Sequence, residues 1–365
     1  MPTAIVSTMG TSLLTNRADE KLRQMLIRTA NARAAELDPA DRSTIEALAA
    51  ERAAVLRDAS DQDVRSLSAE LNGLLALGPI QRSDCHYLLH SDTFQGEICA
   101  NLAAGWLTRA GGQPVPVKLD HLTAASPEAF ARGVDSLLRW TDQTLREVQD
   151  KGWRVIFNLV GGFKALHAYA HTIGMFYADE IVYLFEGPDA KLIRIPRLPL
   201  KLDEGSLRQH AAAVARMAAE EILSVDQLQG LPEAYLEVDS DRNALLSDWG
   251  QLLWLRGRRD ILSGDLLDQP GLCYLDSFKR DYGREQNPDR RVALQEALAK
   301  ASVLWRRSGL QALRCDGGLL YEDYVNKAGK GHFRISQDIR VSCLPNGTSL
   351  EMRHYGSHDY VNNNP

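Results

Sequence analysis

A short apolar run, Trp153 to Val160, ends in Gly161-Gly162-Phe163-Lys164, and Ala165 to Tyr177 follows with the texture of a helix. The run is short and β-branched enough to be a buried strand. A buried strand that turns through two glycines directly into a helix constrains the fold more than any other stretch. It implies a helix packed on a sheet, the repeating unit of α/β architecture. It also leaves free backbone N–H groups at the helix start, where anions bind. The glycines allow close backbone approach, and Lys164 adds a mobile positive charge. Taken alone, the same turn serves equally well to pack helix on sheet.

A second loop of this kind lies near the N-terminus. Ala4 to Ser7 reads as a strand, and Thr8-Met9-Gly10-Thr11-Ser12-Leu13-Leu14-Thr15-Asn16 makes a small, hydroxyl-rich turn after it. In an open α/β sheet, ligands sit beyond the carboxyl ends of the strands, where such loops gather. Thr11 or Ser12 as a helix N-cap is the plain alternative. Arg17 to Leu77 reads as two or three helices broken at Asp38-Pro39-Ala40-Asp41, an insertion carrying little chemistry and suited to packing against a partner subunit. Cys85 to His90 is the next strand, with the polar turn Ser91 to Gly96 before a helix to Thr108. Val115 to Leu119 is a further strand. The helix after it runs to Asp150, with Ser126 as N-cap and Pro127 at the first helical position. Glu180 to Phe185 is a strand, and Leu192 to Leu200 an extended, proline-interrupted segment. The alternation predicts a doubly wound sheet with helices on both faces.

Ser206 to Val225 reads as a helix, and Asp226 to Asp268 as short helices with a small extended piece. From Gly271 the texture changes. Leu272 to Leu275 is a short strand, and Phe278 to Trp305 is helical with a break near Asn287-Pro288-Asp289. Gly331 to Ser336, Ile339 to Leu344 and Leu350 to Tyr355 then alternate with period two. Asn346-Gly347 supplies a hairpin turn. A small α+β domain, helix first and antiparallel sheet after, is expected at this end.

The 365 residues suffice for two or three domains. No apolar run approaches the ~20 residues of a membrane span. The N-terminus begins as a strand with no basic leader, so no secretion signal is expected. Five scattered cysteines without a CxxC pair point to reduced thiols in a cytoplasm. They form no zinc pattern, and the nine histidines show no metal-ligand spacing. The net charge of −6 is uneven: residues 271–365 hold 14 Lys and Arg against 11 Asp and Glu, a balance of +3, and the rest is acidic. Only the C-terminal end is predisposed towards a polyanion, and weakly so.

Ser7 to Asn16, Asn158 to Lys164 and Gly174-Met175-Phe176-Tyr177-Ala178-Asp179-Glu180 together resemble the CRISPR-associated Rossmann-fold (CARF) sensors, over about residues 1–200 apart from the helical insertion. That resemblance implies binding of a cyclic oligoadenylate made by type III CRISPR complexes. Such a ring has rotational symmetry, so a homodimer with a two-fold axis offers it the same loops twice. The resemblance places Gly10, Thr11, Ser12, Gly161, Gly162, Phe163 and Lys164 in the ligand site, with Gln95 of the third polar turn as a further candidate. Some members also cut their ligand. Ser12 and Lys164 would then orient a ribose 2′-hydroxyl and stabilise charge on the phosphate, although binding alone needs the same residues.

His332 to Val341, followed by Arg353-His354-Tyr355-Gly356-Ser357-His358-Asp359-Tyr360, resembles the RelE-family mRNA interferases over about residues 271–365. That family's chemistry is metal-free attack of an RNA 2′-hydroxyl on the adjacent phosphate. His354, His358 and Tyr360 are the implied acid and base candidates, and Arg334, Arg340 and Arg353 the implied stabilisers of charge. Alternation sets Phe333 and Ile335 on the face opposite Arg334. It also sets His354 opposite Arg353 and Tyr355, and leaves His332 as a surface residue at the strand start. Arg353-x4-His358 formally matches the RxxxxH of HEPN ribonucleases, but it spans a strand end and a turn, where that family uses helices.

The combination resembles CRISPR-associated effectors in which a winged helix joins sensor and nuclease. Three domains are expected: 1–200 (sensor), 201–268 (winged helix) and 269–365 (nuclease). The implied activity is mRNA cleavage in the ribosomal A site, triggered by cyclic tetra-adenylate as allosteric activator, with no cofactor and no membrane. A ligand-responsive transcription regulator, using Arg256-Gly257-Arg258-Arg259 near DNA, is one alternative. A ring nuclease with an inactive C-terminal domain is another.

Overall fold

Strands Thr3–Thr8 (β1), Cys85–Ser91 (β2), Gln113–Leu119 (β3), Arg154–Asn158 (β4), Glu180–Leu184 (β5) and Leu192–Pro196 (β6) form one sheet in the order β3-β2-β1-β4-β5-β6. All pairs are parallel except β5 with β6. The computed structural model describes residues 1–185, 191–200, 204–325, 327 and 329–365, and the chain divides into two compact units, residues 1–201 and 202–365. The mixed α/β class with a parallel sheet follows the strand–helix alternation of the sequence. Ser126 caps its helix as expected, accepting from the Ala129 N–H at 3.2 Å. Helix Pro127–Trp140 then runs through a π-turn, Thr141–Leu145, into Arg146–Asp150.

The helical insertion differs from expectation. It holds four helices: Glu20–Arg28, Pro39–Asp58, Asp61–Leu67 and Ala69–Leu77. Serines split the last two, because Ser60 forms a capping box with Asp63 and Ser68 caps Leu71. The insertion is also no appendage. Ile45, Leu48, Leu56, Val64, Leu67, Leu71 and Leu74 belong to the same core as Ile5, Leu88, Ile156 and Val182. These apolar side chains cover the sheet of their own unit rather than being held out for a partner.

In the second unit the predicted long helix ends early. Glu204–Gln209 and Ala211–Ala218 are separate helices, and Leu223–Ser224 (β7) pairs with Asn243–Leu246 (β9), which also pairs with Leu236–Val238 (β8). Helix Asp248–Leu262 follows. Leu272–Tyr274 (β10), Glu322–Asp323 (β11), Gly331–Arg334 (β12), Ile339–Asn346 (β13) and Ser349–Ser357 (β14) form a sheet of order β10-β14-β13-β12-β11. The Asn346-Gly347 hairpin is present, with Gly347 at φ +60°. The helical stretch runs on to Cys315, past non-helical backbone at Ser308-Gly309. Leu294, Leu298 and Ala301 of this helix pack with Phe278, Phe333 and Val341. Its Ala299 packs instead with Leu207, Trp254 and Leu262, so one helix serves two cores. A helix the sequence did not announce, His358–Asn363, lies over β13 and β14. Among the described residues, no helix is long and apolar enough to cross a membrane.

His86 of β2 is fully buried, and neither ring nitrogen has a partner among the described residues. Burial disfavours the imidazolium and pulls the pKa down to about 4. The unfolded chain protonates this histidine near its ordinary value, so stability is intact above that range and falls as pH drops towards 4. The loss should reach about 3 kcal/mol below pH 4. Urea titrations at pH 7, 5.5 and 4 should show that decline, and His86→Phe should flatten it.

Candidate functional site

Ser7 of β1 stands opposite Asn158 of β4, and both strands end at the point where the sheet order reverses. The loops after them, Met9 to Ser12 and Leu159 to Phe163, therefore share the crevice in which open α/β sheets bind ligands. The structure brings the two predicted loops together. It also places between them a residue the sequence reading passed over.

That residue is Glu70, the second residue of helix Ala69–Leu77, with only 1% of its surface exposed. The Gly10 N–H donates to its Oε1 at 2.8 Å, the Ser12 hydroxyl donates to Oε2, and the Ser68 hydroxyl donates to Oε2 at 2.7 Å. Asn158 Nδ2 donates to the Glu70 backbone carbonyl and to Ser7 Oγ, both at 3.1 Å. On the facing loop, the Gly161 carbonyl accepts from the Thr8 hydroxyl and, at 2.6 Å, from His167 Nε2.

This arrangement reassigns the glycines. A Cβ on Gly161 would lie 2.1–2.2 Å from Oε1, Cδ and Cγ of Glu70, and one on Gly10 would lie 2.9 Å from the Gly162 nitrogen. Gly162 adopts φ +107°, a region that side chains disfavour. The anion that the glycines admit here is the Glu70 carboxylate. It engages the Gly10 N–H and the Ser12 proton, and Ser12 Oγ in turn accepts the Ala69 N–H at 3.3 Å, so that oxygen presents one remaining lone pair rather than a donor. A signal for Glu70 does exist in the sequence: it is the one charged residue between Leu67 and Leu77.

Other donors remain open. Helix Lys164–Tyr177 starts with no side-chain cap and no acidic residue in its first turn, and Lys164 is exposed with no ion pair among the described residues. Thr11 is half-buried, with its carbonyl accepting from Leu14 and Thr15. Phe163 meets Phe130 edge-on at 5.8 Å between ring centres. Gln95 points elsewhere. It is buried, and its Nε2 donates at 2.8 Å to the Leu26 carbonyl and to Thr29 Oγ1, tying its helix to the insertion.

In the second unit, Phe333 pairs with Val341 on the core face, and Arg334 pairs with Arg340 on the other, as alternation required. Arg340 is 6% exposed, and its Nη1 donates to the carbonyls of Ser336 (2.7 Å), Gln337 and Ile339 (both 3.0 Å), stapling the β12–β13 turn. Burial and the facing Arg334 both disfavour its charge and lower its pKa. His332 is not at the surface: it lies buried beneath the Tyr324 ring, 4.6 Å away edge-on, and burial lowers its pKa.

β14 carries a bulge. Cys343 pairs with Met352 and Ser342 with His354, which leaves Arg353 as an extra residue. The simple alternation drawn from the sequence fails at that point. His354 therefore shares a face with Ser342 and Arg340, while Tyr355 stays in the core. Arg353 Nε donates to the Pro365 carbonyl at 3.2 Å.

Four of the six candidates fall into two groups. Arg340 and His358 line an open concavity of about 430 Å³ with Gln337, Asp338, Ser357 and Asp359. His354 and Tyr360 instead meet at Asp281 of helix Asp276–Arg284, another residue the sequence reading missed. Burial and the bond to Asp281 raise the Tyr360 pKa, so its hydroxyl stays protonated. Within the basic cluster of helix Asp248–Leu262, Arg258 pairs with Glu296, and Arg259 pairs with Asp289 at 3.0 Å. Two of the arginines that a DNA-reading helix would present are thus engaged within the unit.

Residues 65–198 match the family described as CRISPR-associated protein (Cas_APE2256). The matched segment runs from before Glu70 through β6 and includes the glycine turn, so this part of the chain is similar to CRISPR-associated proteins. No curated protein matches the chain.

The close fit of Gly161 to Glu70 is testable. Gly161→Ala should destabilise the protein by about 2–4 kcal/mol through overpacking. Glu70→Ala in the same chain should recover at least 1 kcal/mol of that by coupling, read from urea midpoints of the four variants.

Proposed function

We propose that the chain is an ancillary effector of type III CRISPR immunity, a homodimer whose sensor domain, residues 1–200, binds cyclic tetra-adenylate. The observation that carries this reading is the pair of loops at the β1/β4 switch point. Beside them lie a helix start that has no side-chain cap and an exposed Lys164 that has no ion pair among the described residues. The match of residues 65–198 to CRISPR-associated proteins supports the same context. Phosphate oxygens of the ring meet the N–H groups that open helix Lys164–Tyr177 and the Lys164 ammonium. To use the Gly10 and Ser12 donors as well, the ligand must displace Glu70. Ligand cleavage at this site remains part of the proposal: with its proton on Glu70, Ser12 Oγ is set to accept from a ribose 2′-hydroxyl.

In this reading residues 201–268 form a winged-helix linker and residues 269–365 a RelE-like ribonuclease. The nuclease cuts mRNA in the ribosomal A site by 2′-hydroxyl attack. Arg334 and Arg353 answer the charge on the phosphate, Arg340 shapes the turn beside it, and His354, His358 and Tyr360 handle protons. A C-terminal balance of only +3 is thin for gripping free RNA, which favours substrate delivered by the ribosome.

Incubation with cyclic tetra-adenylate and translating ribosomes, followed by mapping of mRNA 5′ ends, tests the proposal. Cuts that require both components are expected. Rapid degradation of naked RNA would remove the ribosome from the reading, and ligand binding without any cleavage would remove the nuclease. Lys164→Ala should weaken cyclic tetra-adenylate binding about ten-fold, with the difference shrinking as salt is raised.

A further inference from the structure

The Asp281 side chain is 7% exposed and sits beside β14, beyond the point where β10 stops pairing with that strand. The Tyr355 N–H, on the unpaired edge of β14, donates to Oδ2 at 3.2 Å. Tyr360 donates its hydroxyl proton to Oδ1 at 3.1 Å. His354 Nδ1 lies 3.1 Å from Oδ2 and 3.2 Å from the Tyr360 oxygen. Arg284 approaches Oδ1 at 4.0 Å from the same helix.

The donors and acceptors admit one arrangement. The carboxylate only accepts, and the Tyr360 proton already points to it, so both atoms facing His354 Nδ1 are acceptors. Nδ1 must therefore carry a hydrogen. In the neutral ring that places the lone pair on Nε2, which has no protein partner among the described residues. A buried carboxylate that fixes the tautomer of a partly exposed histidine and leaves its other nitrogen unclaimed by the described residues is the device that makes a histidine a directed base.

We infer that Asp281 is a positioning residue of the C-terminal site, holding His354 as the Nδ1–H tautomer with Nε2 as the base and aligning the Tyr360 hydroxyl next to it. The inference rests on the nuclease reading above. In the step it serves, Nε2 takes the proton of an RNA 2′-hydroxyl while O2′ bonds to phosphorus and the P–O5′ bond breaks. The departing 5′-oxygen takes a proton from water, and the imidazolium later returns its own to solvent. The products are a 2′,3′-cyclic phosphate and a 5′-hydroxyl. Structure alone would explain a carboxylate capping the β14 edge. It would not require one whose second contact dictates which nitrogen of His354 is free.

Asp281→Asn keeps the shape and, with its oxygen at the Oδ2 position, an acceptor for the Tyr355 N–H. Its amide NH2 then faces the Tyr360 oxygen, which frees the Tyr360 proton for His354 Nδ1 and removes the constraint that selects one tautomer. The expected result is a fall of about a hundred-fold in kcat for ligand-activated cleavage, with KM within two-fold and an unchanged melting temperature. Asp281→Glu should restore part of the rate. Imidazole ¹⁵N shifts of the full-length wild-type protein should report the Nδ1–H form of neutral His354, and those of Asp281→Asn its loss. A wild-type His354 protonated on Nε2 overturns the inference even if the variants fail to fold. So does a folded Asp281→Asn protein that cleaves at the wild-type rate, or one that slows with its tautomer unchanged. If the wild-type protein shows no cleavage, the nuclease reading fails, and the shifts still decide what Asp281 does to His354.

Discussion

A carboxylate buried between two loops is an expensive thing to leave without partners, and the first unit is arranged so that Glu70 has them. Removing a charged carboxylate from water costs several kcal/mol unless hydrogen bonds replace the solvent. Three donors from two separate segments do so: Gly10 and Ser12 after β1, and Ser68 at the start of its own helix. The backbone carbonyl of the same residue is held by Asn158 at the end of β4. One residue thus ties the helical insertion to both strands that flank the switch point, through its side chain to one and its backbone to the other, and the glycines of both loops make the space it needs. Displacing that carboxylate would disturb the insertion, the β1 loop and the β4 loop together.

The second unit repeats the theme with different parts. Asp281 closes an unpaired strand edge and gathers His354 and Tyr360, and Arg340 staples a hairpin from beneath. Behind them, helix Pro288–Cys315 gives one face to the sheet and sets Ala299 against the helices that precede it. Polar groups are fixed at the sheet by a rigid apolar backing, which is the condition for holding a constellation in register.

What could be read from the sequence follows from range. The strand-glycine-helix turn, the βαβ alternation, the Ser126 cap and the Asn346-Gly347 hairpin are local, and the structure reproduces them. Glu70 and Asp281 escape the sequence because their meaning lies in contacts 58 or more residues away. Gln95 sits in a polar turn yet serves helix packing, since whether a polar side chain faces a crevice or a neighbouring helix is a tertiary fact. A position at a strand start puts His332 at the surface on sequence grounds, because the sequence does not show that Tyr324 covers it. The sequence suits the insertion to a partner subunit because amphipathic helices look alike whether they meet their own sheet or another chain.

The bulge at Arg353 has a consequence for recognising this arrangement in other chains. Side-chain direction along a strand depends on counting residues in twos, and one extra residue resets the count. A relative without that residue has its histidine directly after the methionine, where plain alternation already sets it on the functional face; a relative that keeps the residue but pairs it without a bulge turns the histidine to the core side. Two sequences aligned letter for letter through β14 can therefore place the same imidazole on opposite sides of the sheet. The spacing from Met352 to Tyr355 is a better guide to which side it takes than the identity of the residue at position 354.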